Sequence, residues 1–162
     1  MMKGPALLAL VLLCTGCANL KHQSRDPAAL ATLPADPDQA KVPQWVLVSP
    51  PYPLTLSKKV EIDLNSIHKT GDGGITVWSR DTYIDEQVVS PTETYRIGEA
   101  RYWFDCARKL FNIDYVHTRK GNGALVRSRL IEIATRQTDN PIPPRSLISA
   151  EADLACSYAE KR

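Results

Sequence analysis

Residues 58–64, "KKVEIDL", alternate without a break. Val60, Ile62 and Leu64 fall on one side of an extended chain, and Lys59, Glu61 and Asp63 on the other. A period of two is the mark of a half-buried strand and does not fit a helix, whose apolar positions recur every three or four residues. The neighbouring segments take their meaning from this one. "WVLVS" at 45–49 is a short apolar run halted by Pro50 and Pro51, and reads as a first strand. "HKTGDGG" at 68–74 is a turn, and "ITVWSRDTY" at 75–83 returns as the third strand. Residues 84–94, with Pro91, lose the alternation and read as a variable polar connection. A strand over about 95–106 puts Tyr102, Phe104 and Cys106 on one face, with Arg101, Trp103 and Asp105 on the other. "NIDYVHTRK" and "ALVRSRLIEI" make a hairpin about the "GNG" at 121–123. In the first of these, Phe111, Ile113 and Tyr115 line up toward the core, with His117 next in line. "TDNPIPP" then breaks the chain, and 146–162 reads as a helix. Ser146 or Ser149 is its N-cap, Glu151 and Asp153 lie near its positive end, and Leu147, Ala150, Leu154 and Tyr158 share one side. The expected class is α+β: an antiparallel sheet of about six strands with one C-terminal helix packed on it.

The beginning of the chain is written differently. Met1, Met2 and Lys3 lead into an apolar run from Ala6 to Leu13, then into small residues. That is the layout of a secretory signal, and the run is far short of the ~20 residues that span a bilayer. Cys14 and Cys17 stand in a Cys-x-x-Cys spacing, which elsewhere marks a redox dithiol or half of a zinc site. Nothing βαβ-like follows, and His22 is the only nearby candidate ligand, so neither chemistry finds its context. "CTGC" at the end of a signal resembles a bacterial lipobox, with Gly16 and Thr15 at −1 and −2 and Cys14 where an aliphatic residue is usual. The resemblance implies that residues 1–16 are a lipoprotein signal peptide and that Cys17 is acylated as the first mature residue. Ala18 in place of Asp then implies delivery to the outer membrane. Ordinary secretory cleavage is the alternative. Acyl chains contribute ~0.8 kcal/mol per buried CH₂, so three of them form an effectively permanent anchor. Residues 17–44 hold four prolines, no aromatic residue and charges that cancel, and read as a flexible tether to a domain at 45–162.

Secretion also bears on the cysteines. Of the 4 in the chain, Cys106 and Cys156 remain in the domain. In an oxidising compartment two remaining cysteines pair, and this bridge would staple the helix to a central strand. Two buried free thiols are the alternative.

The formal net charge is +2, and Lys3 is the only charge in residues 1–16. The mature chain is therefore close to neutral, which speaks against a nucleic-acid partner or a polybasic membrane binder. His68 and His117 are the histidines of the domain, and neither is spaced with a second ligand as in a zinc motif. There is no Gly-x-Ser-x-Gly elbow, and "GDGG" at 71–74 is followed by a strand where a phosphate loop needs a helix. Asp81, Asp85 and Glu86 lack the dense alternation of a calcium loop. The chain is expected to be non-enzymatic, with no catalytic residue, metal or cofactor. One asymmetry remains. Residues 96–129 carry Arg96, Arg101, Arg108, Lys109, Arg119, Lys120, Arg127 and Arg129 against Glu99, Asp105 and Asp114. If they converge, Arg101, Arg119, Lys120, Arg127 and Arg129 form an anion-binding face for a sulfated glycan, a lipopolysaccharide phosphate or an acidic protein. The other reading is a solvated face whose charges keep strand edges from pairing.

Trp45, the "IDLNSI" at 62–67 ahead of a Gly-containing turn, the "VW" at 77–78, the "FDC" at 104–106 and the closing "PRSLISAEADLAC" form one set. Together they resemble the surface-adhesin protein E-like family of Gram-negative lipoproteins, over roughly 45–157. The resemblance implies an antiparallel sheet, a C-terminal helix held by a disulfide, and binding of host proteins. It carries over no ligand-binding residue. The expected function is an outer-membrane lipoprotein whose domain acts as an adhesin for host proteins or anionic glycans. The alternative is a periplasm-facing structural or assembly accessory, which docks on envelope machinery or forms a homodimer through a sheet edge.

Overall fold

The alternating segment is a strand, and the sheet grows outward from it. The computed structural model describes residues 42–50, 57–131 and 140–162; the signal, Cys17 and nearly all of the tether lie outside them. Among the described residues eight strands form one sheet: β1 (Trp45–Leu47), β2 (Lys58–Asp63), β3 (His68–Lys69), β4 (Ile75–Ser90), β5 (Glu93–Asp105), β6 (Leu110–Arg119), β7 (Leu125–Leu130) and β8 (Asn140–Pro141). A helix, α1 (Leu147–Glu160), closes the chain. The main order is β1-β2-β4-β5-β6-β7, every pairing is antiparallel, and the short β3 and β8 add to β4 and β6.

Period-two alternation gives the sheet two unlike faces. Val46, Val60, Ile62, Ile75, Val77, Tyr102, Phe104 and Phe111 lie on one of them and pack with α1. Phe104, Ile62 and Val77 are wholly buried there, and the Tyr102 and Phe104 rings stack 5.6 Å apart. Burying side chains of this size stabilises the fold by about 1.5–3 kcal/mol each. The buried stripe of α1 is Ala152, Ala155, Cys156 and Ala159, with Ala150 beside it. Leu147, Leu154 and Tyr158, expected at the centre of the contact, are only partly buried around it. Small side chains let the helix lie close to the sheet, and the large ones ring that contact. Ser146 caps the helix and Ser149 returns the bond, so both expected candidates serve in one capping box. Cys106 and Cys156 are disulfide-bonded, across a sequence separation of 50 residues. Loop-closure entropy makes such a bridge worth roughly 4 kcal/mol against the unfolded chain.

Two expectations are corrected. Residues 84–94 are not a loose connection: β4 runs on to Ser90 and β5 begins at Glu93, forming a ribbon beyond the ends of β2 and β6. Its ladder shifts register between Thr82 and Gln87, and Ile84 and Val88 are exposed. Solvated on both sides, this ribbon never needed apolar alternation. The second correction concerns β6. Tyr102 pairs with Ile113 but Arg101 pairs with Tyr115, so Asp114 is an extra residue in a bulge. Past the bulge the faces exchange, and Tyr115 and His117 leave the core side.

Candidate functional site

The face turned away from α1 is polar and aromatic. The register sets Trp45 opposite Asp63, and Trp78, Arg101 and Tyr115 in one row across β4, β5 and β6. Beside it runs a second row of Leu47, Glu61, Arg80, Glu99 and His117. Opposite charges meet along these rows. Arg80 donates to Glu61 Oε2 from Nη2 at 2.8 Å and from Nε at 3.2 Å, and its guanidinium lies 4.1 Å from the Trp45 ring centre. Arg101 grips both Asp114 oxygens at 2.9 and 3.0 Å and lies 4.7 Å over Tyr115. Arg119 bonds Glu99 at 2.8 Å. Trp78 is buried against His117 and Tyr115, with ring centres 5.1 and 6.2 Å away. Burial alone would push the Glu61 carboxyl up, but hydrogen bonds from Lys59 and Arg80, and their charges, hold it below its ordinary value. Such a face is a set of mutually satisfied cross-strand pairs.

The basic residues therefore do not converge on one surface. Arg101 and Arg119 belong to this polar face and are occupied by Asp114 and Glu99. Arg127 sits opposite Thr118 and Arg129 opposite Val116. Val116 pairs with Ala100 and Ala100 with Ser79, whose hydroxyl bonds to Glu151 of α1, so these two arginines are on the helix side. Arg127 pairs with Glu93 and Lys120 Nζ bonds Thr94 Oγ1 at 3.0 Å, so both reach the β4–β5 ribbon. Arg129 is exposed and makes no ion pair among the described residues. The "GNG" turn at 121–123 presents this group: Gly123 takes φ +87, and Lys120 N donates to Ala124 O at 2.9 Å. The sequence places the arginines correctly along the chain. Their acidic partners, up to 34 residues away in the Arg127–Glu93 pair, have no local signature.

Other polar groups hold the scaffold. Trp103 Nε1 donates to Thr70 Oγ1 and Asp72 Oδ1, each at 3.3 Å, and closes the turn at 70–74. A Cβ on Gly74 would lie 2.2 Å from that indole nitrogen, so only glycine fits under Trp103. Glu151 is buried beneath α1, bonded to Ser79 and near the Lys58–Asp81 pair. Burial and the Asp81 charge push its carboxyl up to about 7, against the opposing pull of Ser79 and Lys58. Asp105 is held below its ordinary value by hydrogen bonds from the Arg108 backbone and side chain. Among the described residues no group of three or more His, Cys, Asp and Glu is placed to hold a metal ion. Among them, too, no helix is long and apolar enough to cross a membrane.

One feature escaped the sequence reading. Between β1 and α1 lies a groove of about 400 Å³, walled by Val46 and Leu47 on one side and by Ala150, Asp153, Leu154 and Ser157 on the other. The helix residues recur at helical spacing, but only docking α1 on the sheet brings them beside β1.

Comparison with known proteins gives a match at the level of family. The surface-adhesin protein E family covers residues 45–157, nearly all of the described domain. Neither the curated proteins nor the solved structures give a match. With 45–157 accounted for by that family, the chain belongs to the surface-adhesin protein E family and is an adhesin-type surface protein.

Proposed function

We propose that this chain is an outer-membrane lipoprotein, acylated at Cys17 and tethered by residues 17–44. Its domain binds a host protein or glycan that presents negative charge, through the β7 edge. The observation that carries the reading is the placement of Arg127 and Arg129 two residues apart on β7, the exposed edge strand among the described residues, with Lys120 at the adjoining turn. Arg129 has no acidic partner among the described residues, and the Arg127–Glu93 pair is exposed enough for an incoming anion to compete for it. Arg101 and Arg119 support the strands behind this edge. The family supports a binding role over a catalytic one.

Heparin chromatography of the mature chain tests the ligand chemistry. The wild type should elute at higher salt than a neutral control, and Arg127→Ala/Arg129→Ala should lose most of that retention, because exposed charge pairs are screened by salt. Wild-type elution with the control would contradict the reading. Protease treatment of intact cells tests orientation: loss of the domain means surface display, and protection means a periplasm-facing accessory.

A further inference from the structure

Among the described residues the sheet ends at β1, on the side away from the basic edge, and β1 is open there in a specific way. Val48 N donates to Val60 O at 2.9 Å, and Leu64 N donates to Gln44 O at 3.0 Å. Val46 lies between them and is paired with Ile62. Backbone groups alternate in direction along an antiparallel strand, so residues 44, 46 and 48 face β2, and the N–H and C=O of Trp45 and Leu47 face outward. Among the described residues none of these four outward groups is hydrogen-bonded. They are the ladder positions that an added strand would take.

The groove beside β1 says what such a strand must carry. A residue added opposite Val46 shares its face, which is the helix side, and drops its side chain between Val46 and the Ala150–Leu154 wall. The void of about 400 Å³ accepts a large apolar group. Residues two positions away point the same way. Asp153 stands in that wall with its side chain 68% exposed, and its present partner Lys109 is 3.3 Å away and 61% exposed. A cation at that position on the added strand has a carboxylate to meet. A second copy of β1 does not supply it: the residues two positions from Val46 are Gln44 and Val48.

We propose that the β1 edge and the β1–α1 groove form a strand-addition site for an extended polypeptide segment of a partner, with a large apolar residue and a Lys or Arg two positions from it. This site is separate from the anion-binding edge and does not depend on it. Strand addition gives affinity through the backbone ladder, and the groove gives selectivity through one side chain and one charge.

The test uses the mature chain and the labelled peptide acetyl-Thr-Lys-Thr-Leu-Thr-Lys-Thr-amide, read by fluorescence anisotropy. Saturable binding is expected. Leu47→Pro removes one outward donor and no bond to β2, as an edge strand tolerates. It should weaken binding roughly tenfold, the worth of one hydrogen bond lost at an interface. Asp153→Asn, or Gln for both Lys of the peptide, should weaken it several-fold. Amide hydrogen exchange of the wild type provides the readout that needs no variant: the peptide should slow Trp45 and Leu47 and leave Arg129 unchanged. The proposal is overturned by absence of saturable binding, by binding that leaves the Trp45 and Leu47 amides as fast as before, or by self-association of the chain that Leu47→Pro abolishes.

Discussion

The middle of the sheet and its two edges are built on different terms. In β4 and β5 the ladder is occupied on both sides, Val77 and Phe104 are sealed beneath α1, and Trp78 and Arg101 are enclosed by neighbours on the other face. Among the described residues the ladder of β1 and of β7 is occupied on one side only, and Leu47, Leu125 and Arg129 remain in water. The difference separates two tasks. Stability is concentrated where both faces and both edges are satisfied, so the outer strands can vary their side chains and meet partners without endangering the fold.

Substitutions should divide along the same line, and the largest effect belongs to the middle. Phe104→Ala opens a cavity against α1 in a fully buried site, and a urea melt should show a loss of about 3–5 kcal/mol. A loss below about 1 kcal/mol would mean that the helix and sheet do not close on this residue. Arg101→Ala takes both guanidinium bonds from a buried Asp114 and should cost about 2–3 kcal/mol, with heparin retention close to wild type. A binding defect without a stability defect would move Arg101 from the scaffold to the ligand surface.

Glu151 gives the middle of the sheet a pH dependence. Its folded-state value of about 7 lies above the ordinary 4.5. Below the ordinary value both states are protonated and the contribution to stability is complete. It declines as pH rises toward 7 and is lost above it. Glu151→Gln keeps a hydrogen-bonding group toward Ser79 and removes the titration. Between pH 5 and pH 8 the wild type should lose about 2–3 kcal/mol that the variant retains, read as urea midpoints at the two values. Parallel midpoints for both proteins would contradict the burial of an ionisable group there. The smallest effect belongs to the edge: Arg127→Ala/Arg129→Ala should change stability by no more than about 0.5 kcal/mol while heparin retention falls.

How far the sequence could be read follows from the same division. Strands that bury one face announce themselves, and Val60, Ile62, Val77 and Phe104 all stand where alternation places them. The Cys106–Cys156 bridge was legible from the compartment, and local chemistry narrowed the cap to Ser146 or Ser149, which turn out to share one capping box. Three things were not. The ribbon of residues 84–94 has no buried face and so no pattern. The extra Asp114 in β6 moves Tyr115 and His117 to the other face, and a bulge of one residue leaves no trace in composition. Of the helix positions expected on one side, Ala150 is buried, while Leu147, Leu154 and Tyr158 pack around a centre of alanines, Cys156 and one glutamate that the spacing did not single out, because close approach to the sheet selects small residues. The basic cluster shows the same limit at the site. The arginines can be counted in the chain, yet Glu93, Glu99 and Asp114, which set what each one does, become neighbours only through the ladder.

The central claim is that the sheet is closed in its middle and left open at its edges. Amide hydrogen exchange along β1 of the unliganded chain tests it most directly. The account predicts an alternation, with Val46 and Val48 exchanging at least about tenfold more slowly than Trp45 and Leu47, since only the first pair donates into β2. Protection of Trp45 and Leu47 to the level of Val46 would show that this edge is already covered, and would contradict the claim.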